Sequence, residues 1–400
     1  MNAARQVVVT GLGVVAPNGI GIDAFWRSLC AGESGIAPVT LFDTSELSCR
    51  IAGEVRDFVP AKHMRADIKP NRISRCTQFG LCAAEEAIRD ACLDAAYVRS
   101  IPGVPIVMGV SSNAMELAAK PPSPLSCVIG IPHATGSTIA YVHGIHACLT
   151  TLSDGCASSL DAVAAAAALI RGRRAEFAIA GGTDSSMSRL VFECFIKSRM
   201  FSTRNEAPQR ASRPFDRDRD GGLLAEGAGI VILESREHAA ARGARPYAEL
   251  LGFASFADPP DSVEGAGLSL AMSMALANSR IAPDQVDCVF AHAPSDLHMD
   301  QIETEMIKQV LGPHAYRIPV TSIKGCTGNP LGTGGVLQLI AACLSIRHER
   351  VPPTANYEHP DLLCDLDYPA TARTTLVRHA VVNTHGFGRG NSSLVACRLP

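Results

Sequence analysis

The sequence predicts an α/β protein. Strand-like and helix-like segments alternate along all 400 residues, with no region reserved for one type. Hydrophobic residues make up 47% and aromatics only 5%, with 34 glycines, a composition that fills a core with small aliphatic side chains and lets backbones approach closely. Two stretches, Gly155–Ile170 and Gly332–Ile346, also repeat one rhythm: a glycine-rich turn opening a helix of Ala, Gly and Leu. That rhythm suggests a duplication, with little sequence identity behind it.

Taken in order, Gln6–Thr10 reads as a buried strand ending in a glycine turn, Gly11-Leu12-Gly13. The GxGxxG pattern is not completed, so a dinucleotide loop is not expected. Ile22–Ala31 and Thr77–Leu93 have helical spacing, Pro105–Val110 is a strand, and Ser111-Ser112-Asn113 is a polar turn. Pro121–Pro132 reads as irregular, and Arg213–Asp220 (RPFDRDRD) as a charged turn. Gly222–Ser235 and Pro246–Phe253 read as strands, Val263–Ala277 as a helix, Val286–Ala291 as a strand and Gln301–Leu311 as a helix. Pro319–Ser322 is a strand, Leu331–Arg347 a helix, and Ala380–Thr384 and Ser392–Cys397 are the last strands.

Charge and composition narrow the function. A net charge of -3 gives no basic field for nucleic acid. The cluster Arg171–Arg174 reads as a solvated helix end. No apolar run is long enough to span a bilayer, and MNAARQVVVTG enters a strand without a signal-peptide pattern. The 14 cysteines lack CxxC pairs or regular spacing, as in a reduced cytoplasmic protein, and suggest no metal site or cofactor.

The stretch Leu152–Asp184 carries the chemistry. Ala157–Ile170 is almost wholly Ala, Leu, Val and Ile, a helix buried on nearly every side, with Phe177–Ala180 a short strand after it. Cys156 then sits at the helix N-terminus, where unsatisfied N–H groups and the dipole favour a thiolate. By position alone Cys156 is equally a nucleophile or a small core side chain. Four further features bear on it: His292 at a strand end; Thr321–Asn329, holding Lys324 and Asn329; the glycine loop Asn383–Asn391; and Asp300 and Glu303, one turn apart, where Lys324 could pair with either.

Together these segments resemble the β-ketoacyl-acyl-carrier-protein synthases of type II, the elongating condensing enzymes of the thiolase-like superfamily. The resemblance runs from VVVTGLGVVAPNG through GESGI, the Cys156 segment and ASRPFDRDRDGGLLAEGAGIVILE to the final GFG loop. It implies a thiolase-like fold, two duplicated α/β halves in a five-layered αβαβα arrangement. The halves would span residues 1–245, with Cys156, and 246–400, with His292, Lys324, Asn329 and the GFG loop. By resemblance Cys156 accepts the acyl group, and its N–H and that of Phe387 form the oxyanion hole, with Phe387 in a gating loop. His292 matches the family's first catalytic histidine, and Lys324 with Glu303 its supporting ion pair.

The departures matter as much. His292-Ala293-Pro294-Ser295-Asp296 stands where the family has His-Gly-Thr-Gly/Ser-Thr, so both threonines that hold the pantetheine arm are replaced. Gly328-Asn329 replaces Gly-His, giving a Cys156-His292-Asn329 set; His385 replaces a phenylalanine and Arg389 a glycine. The segment between Val110 and Ser137 is also shorter than the family's. An asparagine N–H can donate to an oxyanion but cannot shuttle a proton. His385 either packs in the space of the missing ring or shares in acid–base work.

The resemblance implies decarboxylative Claisen condensation of a Cys-bound acyl group with a malonyl-type thioester, in fatty-acid-like or polyketide biosynthesis. The alternatives are acyl transfer without a carbon–carbon bond and a non-catalytic ketosynthase partner, which typically lacks the cysteine kept here. The implied partners are acyl carrier protein or coenzyme A thioesters and a homodimer or heterodimer mate, in the cytoplasm.

Overall fold

The computed structural model describes residues 5–65, 67–113, 124–386 and 388–399. Ten strands carry the architecture: β1 (Val7–Ala16), β2 (Val104–Gly109), β3 (Ala147–Leu152), β4 (Phe177–Ser185), β5 (Glu226–Ser235), β6 (Ala248–Ala257), β7 (Cys288–Phe290), β8 (Val320–Thr321), β9 (His379–His385) and β10 (Gly390–Cys397). They run side by side in the order β3-β2-β4-β5-β1-β6-β10-β9-β7-β8. That order is palindromic about the β1–β6 pair, with β1 to β5 of the first half matching β6 to β10 of the second. The pairings match too: β2 is parallel to β3 and β4, as β7 is to β8 and β9, and the remaining neighbours are antiparallel. The duplication expected from the two glycine-rich helices is thus present in the topology.

Five helices complete the layers: α1 (Arg75–Asp90), α2 (Ser158–Arg171), α3 (Ala266–Ser279), α4 (Met299–Leu311) and α5 (Gly334–His348). α1 covers β1, β4 and β5 on one outer face, and α3 covers β6 and β10 on the other. Between the halves lie α2 and α5, packed on each other and on strands of both halves. From Gly334 through Ile346 every residue of α5 is buried, in keeping with a sequence that is apolar but for Gln338 and Ser345. Contact this close needs missing side chains: a Cβ on Gly335 would stand 2.9 Å from Leu160 Cβ. Val336 N–H donates to Ser159 Oγ at 3.0 Å, locking the first turns of the two helices together.

Several expectations give way to the fold. Gly11-Leu12-Gly13 is no turn but the middle of β1, bulged between Val9 and Gly11 against β5. Its glycines are there because α1 lies on the strand: a Cβ on Gly13 would fall 1.9 Å from the Ala83 carbonyl oxygen. β3 was not expected at all; ACLTTL is weakly apolar because this edge is largely open to solvent. Within the proline-rich stretch, Pro124–Ile129 is helical, and residues 114–123 lie outside the described residues. Arg171 is no solvated helix end, for its guanidinium donates to the carbonyls of Leu250 and Leu251 in β6.

RPFDRDRD turns out to be a scaffold. Buried Arg213 pairs with Asp216 at 2.9 Å, and Asp216 accepts the N–H groups of Glu358 and His359. Arg219 pairs with Asp361 at 2.6 Å and donates to the carbonyls of Asp296 and Leu297. The loop after His292 is thereby held from outside. A second buried carboxylate, Asp184 at the end of β4, accepts N–H from Ser111, Ser112 and Asn113 in the first half and from Gly332 in the second.

Because the Gly13 position faces backbone rather than a movable side chain, Gly13→Ala should destabilise by at least about 1–3 kcal/mol. A drop in the thermal unfolding midpoint checks this, and an unchanged midpoint would show that α1 can lift from β1.

Candidate active site

Cys156 occupies a 3₁₀ turn, Gly155–Ala157, that leads directly into α2. Gly155 has φ 69°, a left-handed conformation that a β-branched residue could not take without strain. Ser158 fixes the turn, its hydroxyl donating to Gly155 O at 2.6 Å and accepting from Asp154 N at 3.0 Å. Cys156 is 3% exposed. Gly386 lies against it so closely that a Cβ there would stand 2.9 Å from Cys156 N. Phe387, the next residue of that loop, lies outside the described residues.

His292 follows β7 and is buried. Its Nδ1 stands 2.8 Å from Lys324 Nζ. Burial, then the charges of Lys324 and His385, push the imidazole's pKa well below its usual value, so it is neutral. Burial likewise pulls Lys324 down to about 8, with Cys156, Glu303 and Asp300 opposing the fall. Below that pH the ammonium has only hydrogens to offer. His292 Nδ1 must accept, and the ring proton resides on Nε2.

Glu303 departs from its expected pairing, since Lys324 reaches His292 and no direct Lys324–Glu303 ion pair forms among the described residues. Instead the Glu303 carboxylate accepts the N–H of His292 and of Ala293, at 2.9 and 2.8 Å, and an N–H of Asn383 at 3.3 Å. Burial raises its pKa, and those backbone donors oppose the rise. Asp300, a turn earlier on α4, accepts from Phe215 N and faces Arg219 at 3.8 Å. It has no part in the Lys324 contact. Glu303 therefore fixes the backbone that carries His292.

Asn329 is placed by a short strand-like contact, its N–H donating to Leu223 O and its carbonyl accepting from Ala225 N. Its Oδ1 is buried without a hydrogen-bond partner. His385, the last residue of β9, is buried, with its ring centroid 6.3 Å from that of His292. Its Nδ1 contacts Asn391 Oδ1. Cys156, His292, Asn329 and His385 line one cavity, whose apolar wall includes Phe195, Phe201 and Leu224. A wider space of about 1030 Å³ adjoins it, bordered by Asp258, Glu264 and Arg389. Met200, Asp296, Met299 and His385 belong to the walls of both.

The residues singled out from the sequence thus converge, Phe387 aside. Pro294 and Asp296 also reach the cavity wall, where the family's threonines were expected. Asp296 is not simply an added charge, because its carboxylate accepts the N–H of His298 and Met299 at the start of α4. Sequence reading missed the Asn391 contact and the arginine scaffold. For the first, an Asn six residues after a loop histidine was the available signal.

Known proteins resemble this chain over nearly its whole length. Residues 4–239 match the family model "Beta-ketoacyl synthase, N-terminal domain", and residues 247–358 its C-terminal counterpart. The chain is 37% identical to a putative polyketide beta-ketoacyl synthase 1 of Streptomyces halstedii, over 98% of each chain. It is 36% identical to the 3-oxoacyl-[acyl-carrier-protein] synthase 2 of Synechocystis, over 98% of this chain and 97% of that one. Among solved structures it superposes on the ishigamide ketosynthase/chain length factor with a TM-score of 0.91 at 29% identity, over 100% of each chain. A second, with a TM-score of 0.88 at 32% identity over 100% of each chain, is a type II PKS acyl-carrier protein in complex with its ketosynthase.

The Lys324 contact has a spectroscopic consequence. At neutral pH the ¹⁵N shifts of His292 should report a proton on Nε2 alone. As pH rises through about 8 and Lys324 loses its charge, the Nδ1–H form should appear beside it. A mixture already present at pH 6 would overturn the assignment.

Proposed function

This chain belongs to the beta-ketoacyl synthase family, and we propose that its Cys156, His292 and Asn329 carry out the family's condensation as a Cys-His-Asn site. Members are acyl-transferring enzymes that form a carbon–carbon bond in fatty-acid or type II polyketide biosynthesis. The observation that carries the reading is the single cavity whose wall holds Cys156 together with two groups able to donate an N–H. One is His292 Nε2–H, set by Lys324; the other is the side-chain amide of Asn329.

Cys156 Sγ takes the acyl group from an acyl carrier protein or coenzyme A thioester. A malonyl-type thioester then loses its carboxylate as carbon dioxide, and the electron pair of the broken bond passes into an enolate. His292 Nε2–H and an Asn329 N–H donate to the enolate oxygen, where negative charge develops. The enolate carbon attacks the Cys156 thioester, and the tetrahedral intermediate collapses by expelling the Cys156 thiolate. Cys156 N–H, joined by that of Phe387, stabilises the intermediate's oxyanion. Lys324 and Glu303 act through His292, one on its ring and the other on its backbone.

Assembly with a second ketosynthase-type chain, of the same or a related sequence, fits the open edge of β3. Leu149 on that strand and Tyr141 and Val128 nearby are exposed there. No helix among the described residues is long and apolar enough to cross a membrane. The palindromic strand order supports the reading of two halves, 1–245 and 246–400.

Intact-protein mass spectrometry with a panel of acyl and malonyl thioesters tests the proposal. Wild type should gain one acyl group and release carbon dioxide from a malonyl donor. Cys156→Ala should gain none, whereas Cys194→Ala and Cys326→Ala should label normally. Labelling that survives Cys156→Ala would sink the mechanism, and loading without carbon dioxide would leave acyl transfer alone.

The replaced threonines give a second expectation. Pro294→Thr with Asp296→Thr should lower the KM for a conventional acyl carrier substrate, each regained hydrogen bond contributing about 1 kcal/mol. An unchanged or higher KM would route the pantetheine arm elsewhere.

A further inference from the structure

Loading Cys156 from a thioester moves a proton as well as an acyl group. The thiol must lose its hydrogen, and the departing carrier thiolate must gain one. Neither donor of the Cys-His-Asn set can carry it. Asn329 does not titrate at ordinary pH, and His292 has its Nε2 already protonated and its Nδ1 filled by Lys324.

His385 is arranged the opposite way. The Asn391 amide is oriented by its own contacts: Nδ2 donates to Asp258 Oδ2 and Arg389 O at 3.0 Å and to Phe256 O at 3.2 Å. Its Oδ1 is therefore an acceptor, and His385 Nδ1 must donate to it. In the neutral ring this leaves Nε2 with a free lone pair, and that atom has no hydrogen-bond partner among the described residues. A ring that merely filled the space of a phenylalanine would need no such tether. The two histidines of this cavity thus hold opposite tautomers, one presenting N–H and the other a lone pair.

Position agrees with tautomer. His385 lies in the wall shared by the space around Cys156 and the wider space that adjoins it. The residue after it, Gly386, is packed on the Cys156 backbone.

Taking the cavity as the acyl-transfer site argued above, we propose that His385 is a further catalytic residue, the general base and acid of the loading step. Its Nε2 accepts the proton of the Cys156 thiol as Sγ attacks the donor thioester carbonyl. As the carbon–sulfur bond to the carrier breaks, the same nitrogen returns that proton to the departing thiolate. The ring ends neutral, the carrier leaves as a thiol, and Cys156 holds the acyl group.

The test is single-turnover acylation of Cys156, followed by intact mass, with one acyl group on two leaving groups. One is an alkyl thiol, the pantetheine thioester; the other is thiophenol, whose thiolate leaves without needing a proton. His385→Phe should slow both donors, because each needs the Cys156 thiol deprotonated: the thiophenyl ester by roughly a hundredfold, the usual scale for loss of a general acid–base, and the alkyl thioester by more, since its departing thiolate also loses its proton donor. A second measurement needs no variant: wild type in deuterated water should show a normal isotope effect on loading from both donors, the larger one from the alkyl donor. A thiophenyl ester loaded at the wild-type rate by His385→Phe, or an alkyl donor no more affected than the thiophenyl donor in either experiment, would overturn the role of His385. A wild-type protein that acylates nothing at Cys156 would overturn the reading of the site itself.

Discussion

Everything in this molecule is built around two helices that have almost no face left for water. α2 and α5 lie between the two halves of the sheet, and each must be thin enough to be packed from all sides. Alanine and glycine supply the thinness. The same closeness brings the glycine turns before the two helices together, with Cys156 ahead of one and Asn329 ahead of the other. The site is a by-product of that central packing, not an ornament on a loop.

Around it, buried polar groups act by direction more than by strength. Lys324, Glu303 and Asn391 touch no part of the proposed substrate, yet they decide where a ring proton sits and how a backbone is held. In a water-poor cavity such assignments persist, because the alternative leaves a buried donor or acceptor without a partner. Two imidazoles 6.3 Å apart can thus offer opposite chemistry without differing in residue type.

The alternation of elements and the duplication were legible in the sequence, because periodicity and glycine placement encode them locally, whereas the pairing of Cys156 with His292 was legible only through the resemblance to the condensing enzymes. What was not legible depended on distant partners. Glu303 reads as an ion-pair candidate until the segment after β7 is seen to present the backbone N–H groups of His292 and Ala293 to it. Gly11 and Gly13 read as a turn because nothing local shows that α1 lies across them. RPFDRDRD reads as no more than a charged turn because its partners, Asp361 and residues 358 and 359, come some 140 residues later. The strand β3 was hidden for a different reason: its exposure blurs the alternation that marks a half-buried strand.

The carboxylate of Asp184 has a bearing on how such chains can be recombined. It gathers N–H groups from residues 111 to 113 and from Gly332, so one side chain is the meeting point of both halves. A boundary near residue 245 looks like a natural seam on paper, with a family model ending on either side of it. Physically it is not a seam, for a fragment ending there keeps the acceptor and loses one of its donors. A chimera that swaps one half for that of a relative inherits the mismatch along α2 and α5 as well. Building blocks for such hybrids therefore have to keep position 184 with 332 and position 160 with 335, which makes the inheritable unit the entire chain.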